Sequence, residues 1–511
     1  MSGILSRGRM AGRSARSKPV AVIDVGSNSV RLVVFDETKR VPVPVFNEKV
    51  SCGLGRGLDS TGRLHPDGIA MALQSLRRFV ALTAAMGVVN VVAVATAAVR
   101  EASDGPAFID RVAAECGLQV KTIPGEEEAR LSALGVHSAF PDADGFMADL
   151  GGASVELVRM DKGELREQVT LPIGPIRLAE GNIDPGELIN RNFDTLDWIG
   201  KAKGGTFYAV GGAWRALARV HMNYTKYPLL VAHHYRISRR GALDFAELIS
   251  HLSQDSLRQV PGLSRRRAES LPFAAQMLEN LVQRSGVSQV VFSAFGLREG
   301  CIYDRLSKRL RKEDPLIAMA RDLAWRTGRV TADGEALYRW MSPVFPGESE
   351  REARLRRTAC LLADLEWSEH PDYRVEHALL RILRYPLVGV DHAGRAYLGF
   401  SVASRHARVR DVLFDRFLRS LMDDVEANRA RSTGLAMRLG YTVSGGVISL
   451  LEQTSVRRER GDLTLELPDH AAVLVGDVVQ RRFESLASSL NCTPKIVYSQ
   501  TAKPSPAQNG K

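Results

Sequence analysis

Asp24 is followed by Gly26-Ser27-Asn28-Ser29, and Asp149 by Gly151-Gly152-Ala153-Ser154. Glycine lets a turn bring backbone N–H groups close to an oxyanion, and small polar side chains add donors without blocking the approach. A carboxylate at the end of the preceding strand repels bare phosphate, but it can orient a divalent cation or its waters beside one. Either turn alone reads first as an ordinary hairpin. Their repetition shifts the reading toward anion and metal chemistry, because two unrelated hairpins need not both carry Asp-x-Gly before polar turn residues. Gly211-Gly212 opens a predicted helix whose free N–H groups suit an anion, unless the pair is only a close-packing turn. In Glu126-Glu127-Glu128, mutual repulsion raises the proton affinity of any buried member, the property of a general base. Without neighbouring motifs such a triplet marks an exposed helix start. Arg265-Arg266-Arg267 fits a polyanion, although a solvated helix face is the commoner reading of such a run.

The elements that must position these residues follow from hydrophobic patterning. AVIDVGSNSVRLVVFDE reads as strand, tight turn and strand, and VPVFNEKVSCGL continues the strand-rich region. Ile69, Leu73, Leu76 and Phe79 recur at helical spacing, NVVAVATAAVR supplies a buried strand, and GPAFIDRVAAECG a helix with Pro106 near its start. This order predicts an α/β lobe with a mixed sheet. GFMADLGGASVELVRMD repeats the first strand-turn-strand after about 125 residues, which implies two related lobes. GGTFYAVGGAWRALARV and VSQVVFSAFGLREGCIYDRL each give a strand, a glycine-containing turn and a helix, so four turns are expected at one cleft. Beyond about residue 310 the texture is predominantly helical, with strand-like segments in SVRRERGDLTLELPDHAAVLVG. The expected organisation is a basic flexible leader over 1–18, lobes over 19–140 and 141–310, a mainly helical region with a small terminal module over 311–490, and a tail over 491–511.

DVGSNSVR, ATAAVREASD, GEEEARL, DLGGASVEL, AVGGAWRALA, PGLSRRRAE and FGLREG, in this order, resemble the characteristic segments of the exopolyphosphatase and guanosine pentaphosphate phosphatase family. That family belongs to the superfamily of actin, sugar kinases and acetate kinase, and the resemblance covers about residues 20–310. It implies two ribonuclease-H-like (actin-like ATPase) lobes with a phosphoanhydride bound between them, magnesium near the aspartates and an acidic residue activating water. Carried onto this sequence, it implies catalytic roles for Glu128, Glu156 and Arg100 and metal-binding roles for Asp24 and Asp149. Phosphate-loop roles fall on Ser27, Asn28, Gly151, Gly152 and Ser154. A planar guanidinium at Arg100 suits a phosphoryl group gaining equatorial charge, although the same arginine alone reads as a surface ion-pair partner. The family often has three glycines before the second-turn serine. Ala153 stands at the third here, a methyl that restricts a left-handed backbone and reads as tuning. Trp214 and Arg215 put bulk and charge where relatives in the superfamily hold adenosine, so no ATP pocket is expected.

The helical region resembles a degenerate His-Asp phosphohydrolase domain. Where its metal pair is expected the chain reads Ala363-Asp364, and His370, His377 and His406 read as packing or hydrogen-bonding residues. It is expected to lengthen a basic substrate path or to build a homodimer. A formal charge of +11 favours an anionic partner without choosing among nucleotide, nucleic acid and inorganic polymer. Cys52, Cys116, Cys301, Cys360 and Cys492 lie at long, irregular intervals, which predicts free thiols in a reducing compartment and no zinc or redox motif. The leader lacks an apolar signal core and no charge-free apolar run of about 18 residues appears, so a cytoplasmic protein without a membrane partner is expected. The leading expectation is an exopolyphosphatase using Mg²⁺, or another divalent cation such as Mn²⁺, and no organic cofactor. Its nearest rival is a guanosine pentaphosphate 5′-phosphohydrolase or a bifunctional enzyme. A small-molecule kinase and a non-enzymatic anion-binding module rank lower, and nucleic acid is an unlikely partner because no RNA-reading aromatic motif is present.

Overall fold

The computed structural model describes residues 18–180, 184–260, 263–327, 333–407 and 417–499, with only the backbone of Ala179, Glu180 and Arg266. Most of the expected leader and the end of the expected tail therefore lie outside the described residues. The described chain forms two compact units: residues up to Thr225 with Ala232–Glu313, and Lys226–Val231 with Asp314 onward.

The first unit contains both expected lobes. In the first, strands β1 (Val20–Val25), β2 (Val30–Phe35), β3 (Pro44–Val50), β4 (Asn90–Ala95) and β5 (Lys121–Thr122) lie in the order β3-β2-β1-β4-β5. β1, β2 and β3 form an antiparallel meander, and β1, β4 and β5 run parallel. In the second, β6 (Gly145–Leu150), β7 (Val155–Asp161), β8 (Glu164–Leu171), β9 (Thr206–Val210), β10 (Arg236–Ser238) and β11 (Gln289–Phe292) lie in the order β10-β11-β9-β6-β7-β8. Apart from the added edge strand β10 the second sheet repeats the first, as the doubled sequence pattern predicts.

Alternation along the strands decides which element covers which face. Ala21, Ile23, Val25, Leu32 and Val34 point one way, into a core shared with Leu73, Leu76, Phe79, Phe108 and Val112 of the helices Pro66–Ala85 and Gly105–Cys116. Val20, Val22, Val33 and Phe35 point the other way, onto Leu131 and Leu134 of the helix Gly125–Ala139. That helix turns Ala129, Ala133 and Val136 to Met147, Val158 and Val210 of the second sheet, so it is clamped between the lobes. Each of its buried leucines contributes roughly 1.5–3 kcal/mol on these grounds. Leu297, Cys301, Ile302 and Tyr303 also join the first lobe's core, so the expected boundary of lobes is crossed: the helix Leu297–Tyr303 follows β11 in sequence but packs on the first sheet.

The second unit is mostly helical, including Pro315–Thr327, Glu350–Leu361, Pro371–Arg384, His392–His406, Asp424–Ser444 and Asp477–Ser489. It also holds a three-stranded sheet in the order β12 (Ser455–Glu459), β13 (Asp462–Pro468), β14 (Thr493–Ser499). β14 falls in the segment that the sequence assigned to a tail. It is an edge strand with little burial, paired in parallel with β13, and so lacks the alternation that marks a half-buried strand. Among the described residues no helix is long and apolar enough to cross a membrane.

Candidate active site

Asp24 and Asp149 are the penultimate residues of β1 and β6, and each strand runs into the same turn: Gly26 N–H donates to the Ser29 carbonyl (3.0 Å) and Gly151 N–H to the Ser154 carbonyl (2.9 Å). The carbonyl of Asn28 accepts from the N–H groups of Cys52 and Gly53, both at 3.1 Å, and the Ser27 carbonyl from Gly55 N–H at 2.8 Å, which fixes the first turn. The two turns approach closely, since a methyl placed on Gly152 would lie 3.3 Å from Cβ of Asn28. Ala153 is buried and does not adopt positive φ, so its methyl meets none of the backbone restriction anticipated for it.

Asp149 is held by neighbours from three other elements. Ser132 Oγ donates to its Oδ2 at 3.0 Å. Gly211 (φ 114°) and Gly296 flank the carboxylate so tightly that a Cβ on either would come within 3.3 Å and 3.2 Å of its oxygens. Gly211-Gly212 opens the helix Gly212–Tyr224, as expected, but Trp214 is a fully buried core residue whose Nε1 donates to the Ala274 carbonyl. Arg298 Nη1 donates to Asp24 Oδ2 at 3.3 Å. Burial raises the proton affinity of both aspartates, against the opposing charge of Arg298.

The glutamate triplet resolves into three environments. Glu126 is exposed, and Glu127 is drawn below the usual carboxylate range by Arg130, which it meets at 2.7 Å. Glu128 is 8% exposed and accepts from Arg100 Nη1 at 3.0 Å. Burial pushes Glu128 up to about 7, with Arg100 opposing and the charges of Asp24 and Asp149 adding to the rise. Arg100 Nη1 also donates to the Ile123 carbonyl at 3.0 Å, so this nitrogen anchors Glu128 to the strand end behind it. Glu156 is 2% exposed, accepts from Ser154 Oγ at 2.6 Å, and is held well above the carboxylate range by burial and by Glu128 and Asp149. Two buried carboxyls whose proton affinities are both raised by burial and by neighbouring carboxylates suit acid–base work.

Sequence reasoning did not single out Arg298, Ser132, Arg31 or Lys49, and it named Arg215 only as charge that argues against an ATP pocket. Arg298 stands in the quoted FGLREG segment, and Arg31 occupies the place in the first turn motif that Glu156 occupies in the second. Those were the available signals. Arg265 and Arg267 are exposed at the start of the helix Arg265–Ser285, Arg265 pairing with Glu269 at 3.7 Å. The charge of Arg267 nevertheless reaches Lys49 and Arg215 at the site.

Two buried-facing aspartates fit a magnesium ion, which is commonly held by one or two carboxylates with the remaining positions left to water and substrate phosphate. Among the described residues no group of three or more His, Cys, Asp and Glu side chains forms a complete protein cage. In the helical unit Asp364 pairs with Arg405 at 2.8 Å, His370 accepts from Asp372 N–H, His377 meets Glu369 at 3.3 Å, and His406 bonds the Leu365 carbonyl at 2.9 Å. These histidines hydrogen-bond separately, each in its own setting.

Paired strand-end aspartates, twin glycine turns and a buried carboxyl pair in a two-lobed α/β frame define a phosphohydrolase of the actin-like architecture. Residues 33–309 match the Ppx/GppA phosphatase family, and residues 316–493 match the family described as exopolyphosphatase, C-terminal. The chain belongs to the Ppx/GppA phosphatase family. It is 26% identical over 305 residues to exopolyphosphatase 1 of Mycobacterium tuberculosis, covering 56% of this chain and 88% of that one. It is 25% identical over 436 residues to retrograde regulation protein 2 of Saccharomyces cerevisiae, covering 75% and 72%. Among solved structures it resembles an exopolyphosphatase from Cytophaga hutchinsonii, with a TM-score of 0.52, 25% identity, and 57% of this chain and 99% of that chain covered.

Proposed function

We propose that the chain is an exopolyphosphatase that releases terminal orthophosphate from inorganic polyphosphate. The observation that carries this reading is the convergence of Asp24, Asp149, Glu128 and Glu156 beside two glycine turns and Arg298. Glu128 takes a proton from water as the water oxygen bonds to the terminal phosphorus. The bridging P–O bond breaks and the shortened chain leaves with the electron pair as a phosphate oxyanion. Gly151 closes the second turn with its own N–H, and the N–H groups at Ser27, Asn28, Gly152 and Ser154, with those of Gly211 and Gly212, supply donors for the phosphoryl oxygens. Arg100 keeps Glu128 oriented. Asp24 and Asp149 would hold Mg²⁺, with Mn²⁺ as the alternative, and the bound ion would neutralise phosphate charge and polarise the bond to be broken.

Polyphosphate is favoured over guanosine pentaphosphate because a net charge of +11 and a long C-terminal half suit an extended anion held by many weak phosphate contacts. The relatives described as exopolyphosphatases support the same choice. All five cysteines are free and four are buried, which suits a reducing cytoplasm, and a homodimer completes the reading. The test is orthophosphate release by the full chain from long polyphosphate and from guanosine pentaphosphate, each with and without Mg²⁺ or Mn²⁺. Cation-dependent release with higher kcat/KM on polyphosphate is expected. Higher kcat/KM on the nucleotide would move the assignment to the rival activity.

A further inference from the structure

The two turn hairpins share a backbone and differ in charge. Opposite Asp149, β7 carries Glu156 and β8 carries Thr170; opposite Asp24, β2 carries Arg31 and β3 carries Lys49. Cross-strand partners point to one face of a sheet, so Asp24, Arg31 and Lys49 form a single row. It lies on the face of Val20, Val22 and Val33, the side that carries the candidate site. Along the row exposure rises from half-buried Asp24 and Arg31 to exposed Lys49 on the edge strand β3.

This row carries positive charge in search of a partner. Arg31 Nε donates to Asn47 Oδ1 at 2.9 Å, but neither Arg31 nor Lys49 closes an ion pair among the described residues. Burial and the nearby charges of Arg298 and Arg215 bring Arg31 down to about 10, and Lys49 is lowered by burial and by Arg31, Arg267 and Arg298. Arg298 also leaves its buried Nε without a hydrogen-bond partner. Like-charged groups gathered in this way are relieved by an anion. A linear anion whose end reaches Glu128 finds no cation in the row of Glu156 and Thr170 and two in the row along β2 and β3.

We propose that Arg31 and then Lys49 grip the second and later phosphates of the chain, making this row the determinant of chain-length preference. The inference rests on the exopolyphosphatase reading. Its test is steady-state kinetics of the full chain, unsubstituted and as Lys49→Ala, Lys49→Arg and Arg31→Gln, on tripolyphosphate and on long-chain polyphosphate. Lys49→Ala should raise KM for long chains roughly tenfold, the loss of about one charge-assisted contact, with kcat within about twofold and a smaller effect on tripolyphosphate. Lys49→Arg should restore most of the loss, and Arg31→Gln should raise KM for both substrates. An active unsubstituted chain with Lys49→Ala unmoved on long chains would overturn this inference alone. So would an equal fall of kcat on both substrates, which would place Lys49 at the transferred phosphoryl group. An unsubstituted chain that releases phosphate from neither substrate would overturn the activity and the inference with it.

Discussion

At the scale of single residues, Asp149 depends on what its neighbours lack. A Cβ at position 211 would lie 2.6 Å from the Leu150 carbonyl oxygen, on a backbone at φ 114° that side chains rarely adopt. Gly211→Ala should therefore cost about 1–3 kcal/mol in strain and displace the carboxylate it abuts. Thermal unfolding and orthophosphate release measured together should show a lowered Tm and at least a tenfold fall in kcat; a variant matching the parent in both would remove the constraint. Glu127 makes the opposite case. Its bond is to Arg130, which also meets Asp304 at 3.0 Å, so Glu127→Gln should cost no more than about 1 kcal/mol and leave kcat within about threefold. The triplet was legible in the sequence as a source of one base, but only its burial pattern separates Glu128 from Glu126 and Glu127. Arg298 was less legible, because an arginine opening a helix is common and only folding carries it to Asp24.

At the scale of elements, the repeated strand-turn-strand was readable because its turn chemistry and its alternation agree. Its partners were not. The return of Leu297–Tyr303 to the first sheet is a long-range packing event with no local pattern, and the sense of the row Asp24-Arg31-Lys49 emerges only from strand register. The helical unit offers its own test of how side chains fix elements. His406 accepts from Arg405 at Nδ1 (2.9 Å) and donates from Nε2 to the Leu365 carbonyl, and burial with the Arg405 charge pulls it down to about 3. The unfolded chain has a histidine near 6.5, so between these values it holds a proton that the folded chain does not. This contribution is complete above about pH 6.5 and declines as the pH falls, by up to about 1.4 kcal/mol per unit. His406→Gln keeps a donor and an acceptor without titrating. Its denaturant-derived stability should fall less steeply between pH 6.5 and pH 5 than the parent's; parallel slopes would exclude the histidine as the cause.

At the scale of the whole molecule, a net charge of +11 suits an anionic polymer, yet the claim of catalysis stands on a narrow set of groups in the first unit. The family match begins at residue 33, inside β2, so the Asp24 turn rests on the resemblance of DVGSNSVR, on its geometry and on its likeness to the Asp149 turn. Glu128→Gln keeps the shape of the side chain and removes its use as a base. The most direct measurement is single-turnover orthophosphate release from long-chain polyphosphate by the full chain and by Glu128→Gln, at matched divalent cation, with binding of the same polymer measured in parallel. The expected result is release by the parent, a rate lower by about 10²–10⁴-fold in the variant, and binding that is retained or tightened as one negative charge is lost. Near-equal release by parent and variant, or no release by the parent with either Mg²⁺ or Mn²⁺, would contradict it.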